Sequence, residues 1–237
     1  MHTDVVAMHI SNGIIGIPVS AIAGLFAAVA LAFCVARARA DLDDRLAPMA
    51  GLVAAFLFAV QMLNFPILPG VSGHLLGGAL AAIMVGPWVG GLCVALVLTV
   101  QALLFADGGL TALGLNVVNM GIVGTFVAYG VIVLLLRALP KNVSGLVTAA
   151  WITSVVSVLA ASQAFVLEYA LGGTTDLSLV GIAGTMAGFH LLIGVGEAFI
   201  TAITVGTVAK VRPDLIYVLR GRRQPLLLVT PATERAA

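Results

Sequence analysis

Four histidines, His2, His9, His74 and His190, are the only imidazoles in a chain of 237 residues. Two of them stand where a metal ion could be held. A free amino-terminal Met8 would offer its amine, the backbone nitrogen of His9 and the His9 imidazole to one ion, closing fused chelate rings in a plane. His74, in the turn Ser72-Gly73-His74, would complete the square. Four nitrogens in a tetragonal plane suit Ni(II) or Cu(II), and low-spin Co(II) is admissible. The set needs no carboxylate, which disfavours hard ions such as Mg(II) and Ca(II). The chelate carries one condition: Met8 has an amine only if residues 1–7 are absent from the mature chain. Met1-His2 offers the same donors if the first methionine is used, and the two readings exclude each other. The competing structural roles are an interfacial polar residue for His9 and a cap on a broken helix for His74.

Composition says what must position these residues. Hydrophobic side chains make up 61% of the sequence and charged ones 9%, with a mean hydropathy of +1.18. A soluble domain carries about a quarter charged residues, so this chain must be solvated mostly by lipid. A net charge of +1 excludes a nucleic-acid reader, which needs a basic face. Cys34 and Cys93 lie inside apolar runs and read as small buried residues rather than a disulfide or thiolate site. No basic n-region precedes the first apolar run, so a cleaved secretory signal is not expected.

Seven apolar segments are predicted, near 14–36, 47–64, 74–85, 88–105, 118–137, 145–168 and 180–209. Backbone facing lipid must satisfy its own hydrogen bonds, so the expected class is all-α: a polytopic bundle of about seven helices in the cell membrane. Segment three is too short to span a hydrocarbon core of ~30 Å. It follows Phe65-Pro66-Ile67-Leu68-Pro69-Gly70, which reads as a loop dipping into the bundle, and Gly86-Pro87 then turns the chain into segment four. With seven crossings every Lys and Arg falls on one face. Arg37, Arg39 and Arg45, then Arg137 and Lys141, then Lys210, Arg212, Arg220, Arg222, Arg223 and Arg235 all follow inward crossings. The positive-inside rule makes that face cytoplasmic, which puts the amino terminus outside and the carboxyl terminus inside. Asp4, Asp107, Glu168 and Asp176 fall outside. Residues 1–210 form one domain, and 211–237 are expected to be a cytoplasmic, disordered tail. Small residues at helical spacing, Gly24 with Ala28 and Gly77 with Ala81, allow close helix approach; their use is packing within this bundle or docking of a second membrane protein.

Several polar residues interrupt the apolar runs. His190 and Glu197 lie seven apart on one face of segment seven, as a structural hydrogen-bonded pair or a cation relay. Gln61, Asn64, Gln101, Asn116 and Asn119 gather towards the outer end, where they can orient His74 or line an entry path.

The motif Met8-His9-Ile10-Ser11-Asn12-Gly13 resembles the Met-His-Ile-Pro-Asp-Gly start of the CbiM/NikM family, the substrate-binding subunits of energy-coupling-factor cobalt and nickel transporters. Gln61-Met62-Leu63-Asn64-Phe65-Pro66, Ser72-Gly73-His74-Leu75-Leu76-Gly77 and Gly86-Pro87-Trp88 extend the resemblance, as do the run from Gln101 to Gly109 and Asn119-Met120. It covers nearly the whole chain to about residue 210. The resemblance implies that Met8, His9 and His74 hold Co(II) or Ni(II) as transported substrate, with no permanent cofactor and no enzymatic activity. It also implies the partners: a transmembrane coupling subunit, two ATP-binding subunits and a small accessory membrane subunit. This chain has no Gly-x-x-x-x-Gly-Lys-Ser/Thr loop of its own to bind ATP. It departs from the family pattern in its seven leading residues and in Ser11-Asn12, which replaces Pro-Asp.

Two rival readings exist. Gly70-Val71-Ser72-Gly73 has the form found around the nucleophile of rhomboid intramembrane proteases, with His190 as the base. A vitamin-binding subunit of the same transporter type would need aromatic walls, and only 6% of the residues are aromatic.

Overall fold

The computed structural model describes residues 9–63, 65–68 and 71–220. Met8, the Met1-His2 pair, Asn64, the side chain of Ser72 and residues 221–237 lie outside what it describes. The helices are α1 (Ile17–Asp41), α2 (Leu46–Gln61), α3 (Gly78–Leu104), α4 (Leu113–Asn116), α5 (Thr125–Ala138), α6 (Val143–Gly172) and α7 (Leu179–Val211). A π-helical stretch, Val117–Gly124, joins α4 to α5, so that Leu110–Ala138 acts as one apolar span of 29 residues.

The apolar segments appear where hydropathy puts them, and capping explains several boundaries. Pro18 occupies the first turn of α1, where its missing N–H costs nothing. Asn142 Oδ1 accepts from Gly145 N at 2.8 Å to start α6, and Asp43 Oδ1 accepts from Leu46 N at 2.6 Å to start α2.

α3 is two helices. Gly86 sits at φ 83°, ψ 172°, a conformation open essentially to glycine alone. A Cβ on Gly90 would stand 3.0 Å from the carbonyl carbon of Ala81, whereas residues nine apart in a straight helix are separated by roughly 13.5 Å along its axis. The arms 78–85 and 87–104 therefore fold against each other as a hairpin, as Gly86-Pro87 predicts. The long arm is of membrane-spanning length; the short arm is not, yet it carries the chain from the His74 end of the bundle to Gly86, against Tyr217 at the other end. Among the described residues five helices, α1, α3, the Leu110–Ala138 span, α6 and α7, are long and apolar enough to cross a membrane, and α2 is a shorter apolar helix.

Burial ranks the helices by layer. Of the most apolar stretch of α3, 83% is buried; for α1 the share is 22%. The α3 hairpin is thus the core, and α1 presents Ile17, Ile22, Leu25, Phe26 and Val29 outward, as an apolar helix does where the solvent is lipid. Close contact replaces the hydrophobic effect between such helices. Gly114 meets the backbone of Gly24, which assigns Gly24 to packing within the bundle.

The segment after Pro66 differs from expectation. In place of a dipping loop it forms an antiparallel hairpin, β1 (Phe65–Leu68) on β2 (Val71–Gly73), with Phe65 opposite Gly73. This hairpin is the one sheet among the described residues and leaves the all-α class intact. It delivers the chain to His74.

The two ends of the bundle have different chemistry. At one, Tyr217 lays its ring where a Cβ on Gly86 would go and donates to Asp41 Oδ2 at 2.8 Å. Arg220 bonds Asp43 at 3.3 Å, and Arg45 stands 3.6 Å from Asp214. The basic residues gather here. The packed unit continues through two short 3₁₀ turns, Pro213–Leu215 and Tyr217–Leu219, in which Ile216 is fully buried. The expected boundary at 210 falls just before this packed continuation. At the other end lie His9, Asp107 and His74.

Candidate metal centre

The stretch from His9 to Gly16 has no periodicity, yet it is fastened on two sides. Asn116 grips the backbone of Ile10, its Oδ1 accepting from Ile10 N at 2.9 Å and its Nδ2 donating to Ile10 O at 3.3 Å. Gly109 N donates to Ile10 O at 3.0 Å. Asn12 Oδ1 accepts from Thr111 N at 3.0 Å and Thr111 Oγ1 at 2.8 Å; a family-type aspartate could accept both bonds equally well. Gly16 N donates to Gly172 O at 2.7 Å beside the Ile15–Gly173 bridge. The chain start is thereby laid back across the end of the bundle.

These anchors bring His9 onto His74. Their ring centroids are 4.6 Å apart at 36°, and each residue is 2% exposed. His9 Nδ1 lies 3.1 Å from Asp107 Oδ1, and His74 Nδ1 lies 2.8 Å from Leu75 O. A carboxylate and a carbonyl only accept, so both Nδ1 atoms carry a proton, which in a neutral ring leaves the lone pair on Nε2. Both Nε2 atoms are buried without a hydrogen-bond partner. Buried polar atoms are normally paired, and a nitrogen lone pair left bare in this way suits a transition ion.

The hydrogen bond from His9 holds the Asp107 carboxyl below its ordinary range. Burial pushes His74, in the extended stretch ahead of α3, down to about 4. An unfolded histidine takes its proton near 6.5. The metal-free fold therefore loses stability as pH falls from about 6.5 to about 4, and throughout that window His74 in the fold stays neutral. In nitrogen-15 spectra of the metal-free protein at pH 5.5, His74 is expected as a neutral ring protonated at Nδ1; an imidazolium signal there would contradict this environment.

Among the described residues no group of three His, Cys, Asp or Glu side chains could hold a metal. A site here must draw on backbone or terminal nitrogens. Met8, the expected third contributor, lies outside the described residues. The fused chelate must use His9 Nδ1, the only ring nitrogen that closes a six-membered ring with the residue's own backbone nitrogen. That atom donates to Asp107 here, so holding an ion there would require it to leave the carboxylate and the ring proton to move to Nε2 or be released.

The neighbouring polar residues divide unevenly. Gln61 Nε2 donates to Leu76 O at 2.7 Å, two residues from His74. Asn116 acts on Ile10 rather than on His74. Asn119 Nδ2 donates to Glu168 Oε2 at 2.7 Å. Gln101 is fully buried with neither amide atom partnered. The expected His190–Glu197 pair does not form. His190 Nδ1 lies 2.8 Å from Met186 O one turn earlier, and Glu197 Oε2 accepts from Leu76 N at 2.8 Å and Gly77 N at 3.0 Å. Spacing showed that these two share a face, and it could not show that the face meets residues some 120 positions away. The sequence also placed Asp107 on the His9 side without indicating that it would hold the ring.

Long apolar helices, with basic residues at one end of the bundle and a buried imidazole pair at the other, define a multi-pass membrane protein. The chain belongs to the CbiM family, whose model, described as the cobalt uptake substrate-specific transmembrane region, matches residues 9–215. A putative fused nickel transport protein NikMN from Archaeoglobus fulgidus is 39% identical over 210 residues, covering 88% of this chain and 68% of that protein. The cobalt transport protein CbiM of Sorangium cellulosum is 32% identical over 216 residues, covering 88% and 94%. A crystal structure of a truncated transition metal transporter superposes with a TM-score of 0.73 at 30% identity, covering 86% of this chain and 99% of that one. The chain is thus a membrane component of metal uptake, and its relatives are transport proteins rather than enzymes. The Ser72–His190 protease reading has no support in this family. Among the described residues the two tryptophans pack on other rings, Trp88 on Phe33 and Phe126 and Trp151 on Phe199.

Proposed function

We propose that this protein captures Ni(II) or Co(II) from the outer side of the cell membrane through the Met8 amine, the backbone and ring nitrogens of His9, and His74 Nε2. The observation that carries this reading is the buried His74 imidazole, its Nε2 without a partner, with the His9 ring tilted against it at 4.6 Å. Concentration of basic residues at the opposite end supports an outward-facing site and a cytoplasmic carboxyl terminus. The domain runs to about Arg220. The chain has no ATP-binding loop, so energy comes from partners: a membrane coupling subunit with two ATP-binding subunits, and a small accessory membrane subunit, in an energy-coupling-factor assembly. Equilibrium dialysis of the purified chain tests the capture step. One Ni(II) or Co(II) per chain is expected at pH 7.5, undisturbed by millimolar Mg(II) or Ca(II). Failure to bind either transition ion, or displacement by Mg(II), would contradict the nitrogen site.

A further inference from the structure

Glu197 is a carboxylate buried in the middle of apolar α7, 2% exposed, and capture as described gives it no task. Among the described residues no Lys, Arg or His is ion-paired with it. Carboxylates are costly at membrane depth and seldom persist there without a role. Its Oε2 accepts from Leu76 N at 2.8 Å and Gly77 N at 3.0 Å. These are the second and third amides after His74, at the entrance to the short arm of α3.

The same stretch is held elsewhere. Gln61 of α2 donates to Leu76 O at 2.7 Å. Gly77 turns left-handed at φ 79°, and Leu57 fills the space a Cβ would need. The His74 ring is tied by Nδ1 to Leu75 O at 2.8 Å. The direction of Nε2 therefore follows the peptide planes of residues 75–77, and two of the amides in those planes rest on one oxygen of α7. The chain beyond α7 also grips the other end of the short arm, where Tyr217 lies against Gly86.

We propose that Glu197 is a positioning residue for the metal site: its carboxyl oxygen holds the Leu76 and Gly77 amides, and through them aims His74 Nε2 at the ion. The inference rests on the reading of His74 as a ligand. It makes the site a joint product of α7, α2 and the chain start.

The test uses the purified full chain, Ni(II) dialysis and the visible absorption of bound Ni(II), which reports ligand geometry. Glu197→Gln keeps a carbonyl oxygen for both amides and is expected to match the parent in affinity and spectrum. Glu197→Leu removes the acceptor and is expected to lose about 10–100-fold in affinity, the usual cost of an outer-shell partner, with a shifted band. Should Glu197→Leu fail to insert, Glu197→Asp decides, since it withdraws the oxygen by one methylene and is expected to lose affinity with the same band shift. Parent affinity and spectrum in the Leu or Asp variant would overturn the proposal, as would equal losses in the Gln and Leu variants. A His74→Ala control that still binds normally would instead defeat the ligand reading itself.

Discussion

Replacing His74 with alanine is expected to abolish nickel and cobalt accumulation by cells while the protein remains inserted at its usual level. The imidazole is nearly sealed from solvent, and its Nε2 has no other bond to make. Loss of a direct ligand should exceed the roughly 100-fold penalty for losing an outer partner. Insertion should survive because His74 lies in the extended stretch between β2 and α3, so no helix loses a packing residue. Metal content of washed cells and dialysis of the purified variant both read the effect. Uptake that persists in a correctly inserted variant would remove His74 from the site.

The identity of the chain start should matter as much. A protein beginning at Met8 is expected to bind; one that keeps residues 1–7, with Met8→Leu blocking an internal start, is expected to lose binding to a similar degree. A peptide-bonded Met8 nitrogen is not an amine, and without the amine the fused rings lose their terminal donor. Intact mass assigns the start, and dialysis of the two forms compares them. Because binding displaces the amide proton of His9 and, below about pH 8, the amine proton of Met8 as well, affinity in the Met8 form should fall by about tenfold per pH unit for each of these two protons. Tight binding by a chain whose mass includes the leader would refute the terminal chelate. That His9 is already seated against His74 supports Met8 rather than Met1 as the working start.

Most of the bundle could be read from hydropathy, and the reason is physical. Lipid leaves the backbone few options, so apolar length and proline-glycine breaks translate directly into helices and turns; the hairpin at Gly86-Pro87 is one instance. His9 and His74 were recognisable because transition-metal chemistry uses few residue types. What stayed hidden depends on contacts across sequence. The π-helical stretch Val117–Gly124 has the composition of an ordinary helix, and only its hydrogen-bond offset distinguishes it. Pro213–Leu219 reads as the start of a polar tail, yet Ile216 and Tyr217 pack beneath the α3 turn. Glu197 and Asp107 looked like isolated acids, and their partners are the Leu76–Gly77 backbone and the His9 ring.

Anomalous diffraction at the nickel or cobalt edge, from metal-loaded crystals of the mature protein, addresses the central claim most directly. One peak is predicted at the Asp107 end of the bundle, in contact with the terminal amine, His9 nitrogens and His74 Nε2, and with no carboxylate oxygen coordinated. A peak elsewhere, or one ligated by Asp107 without the amine, would contradict the account.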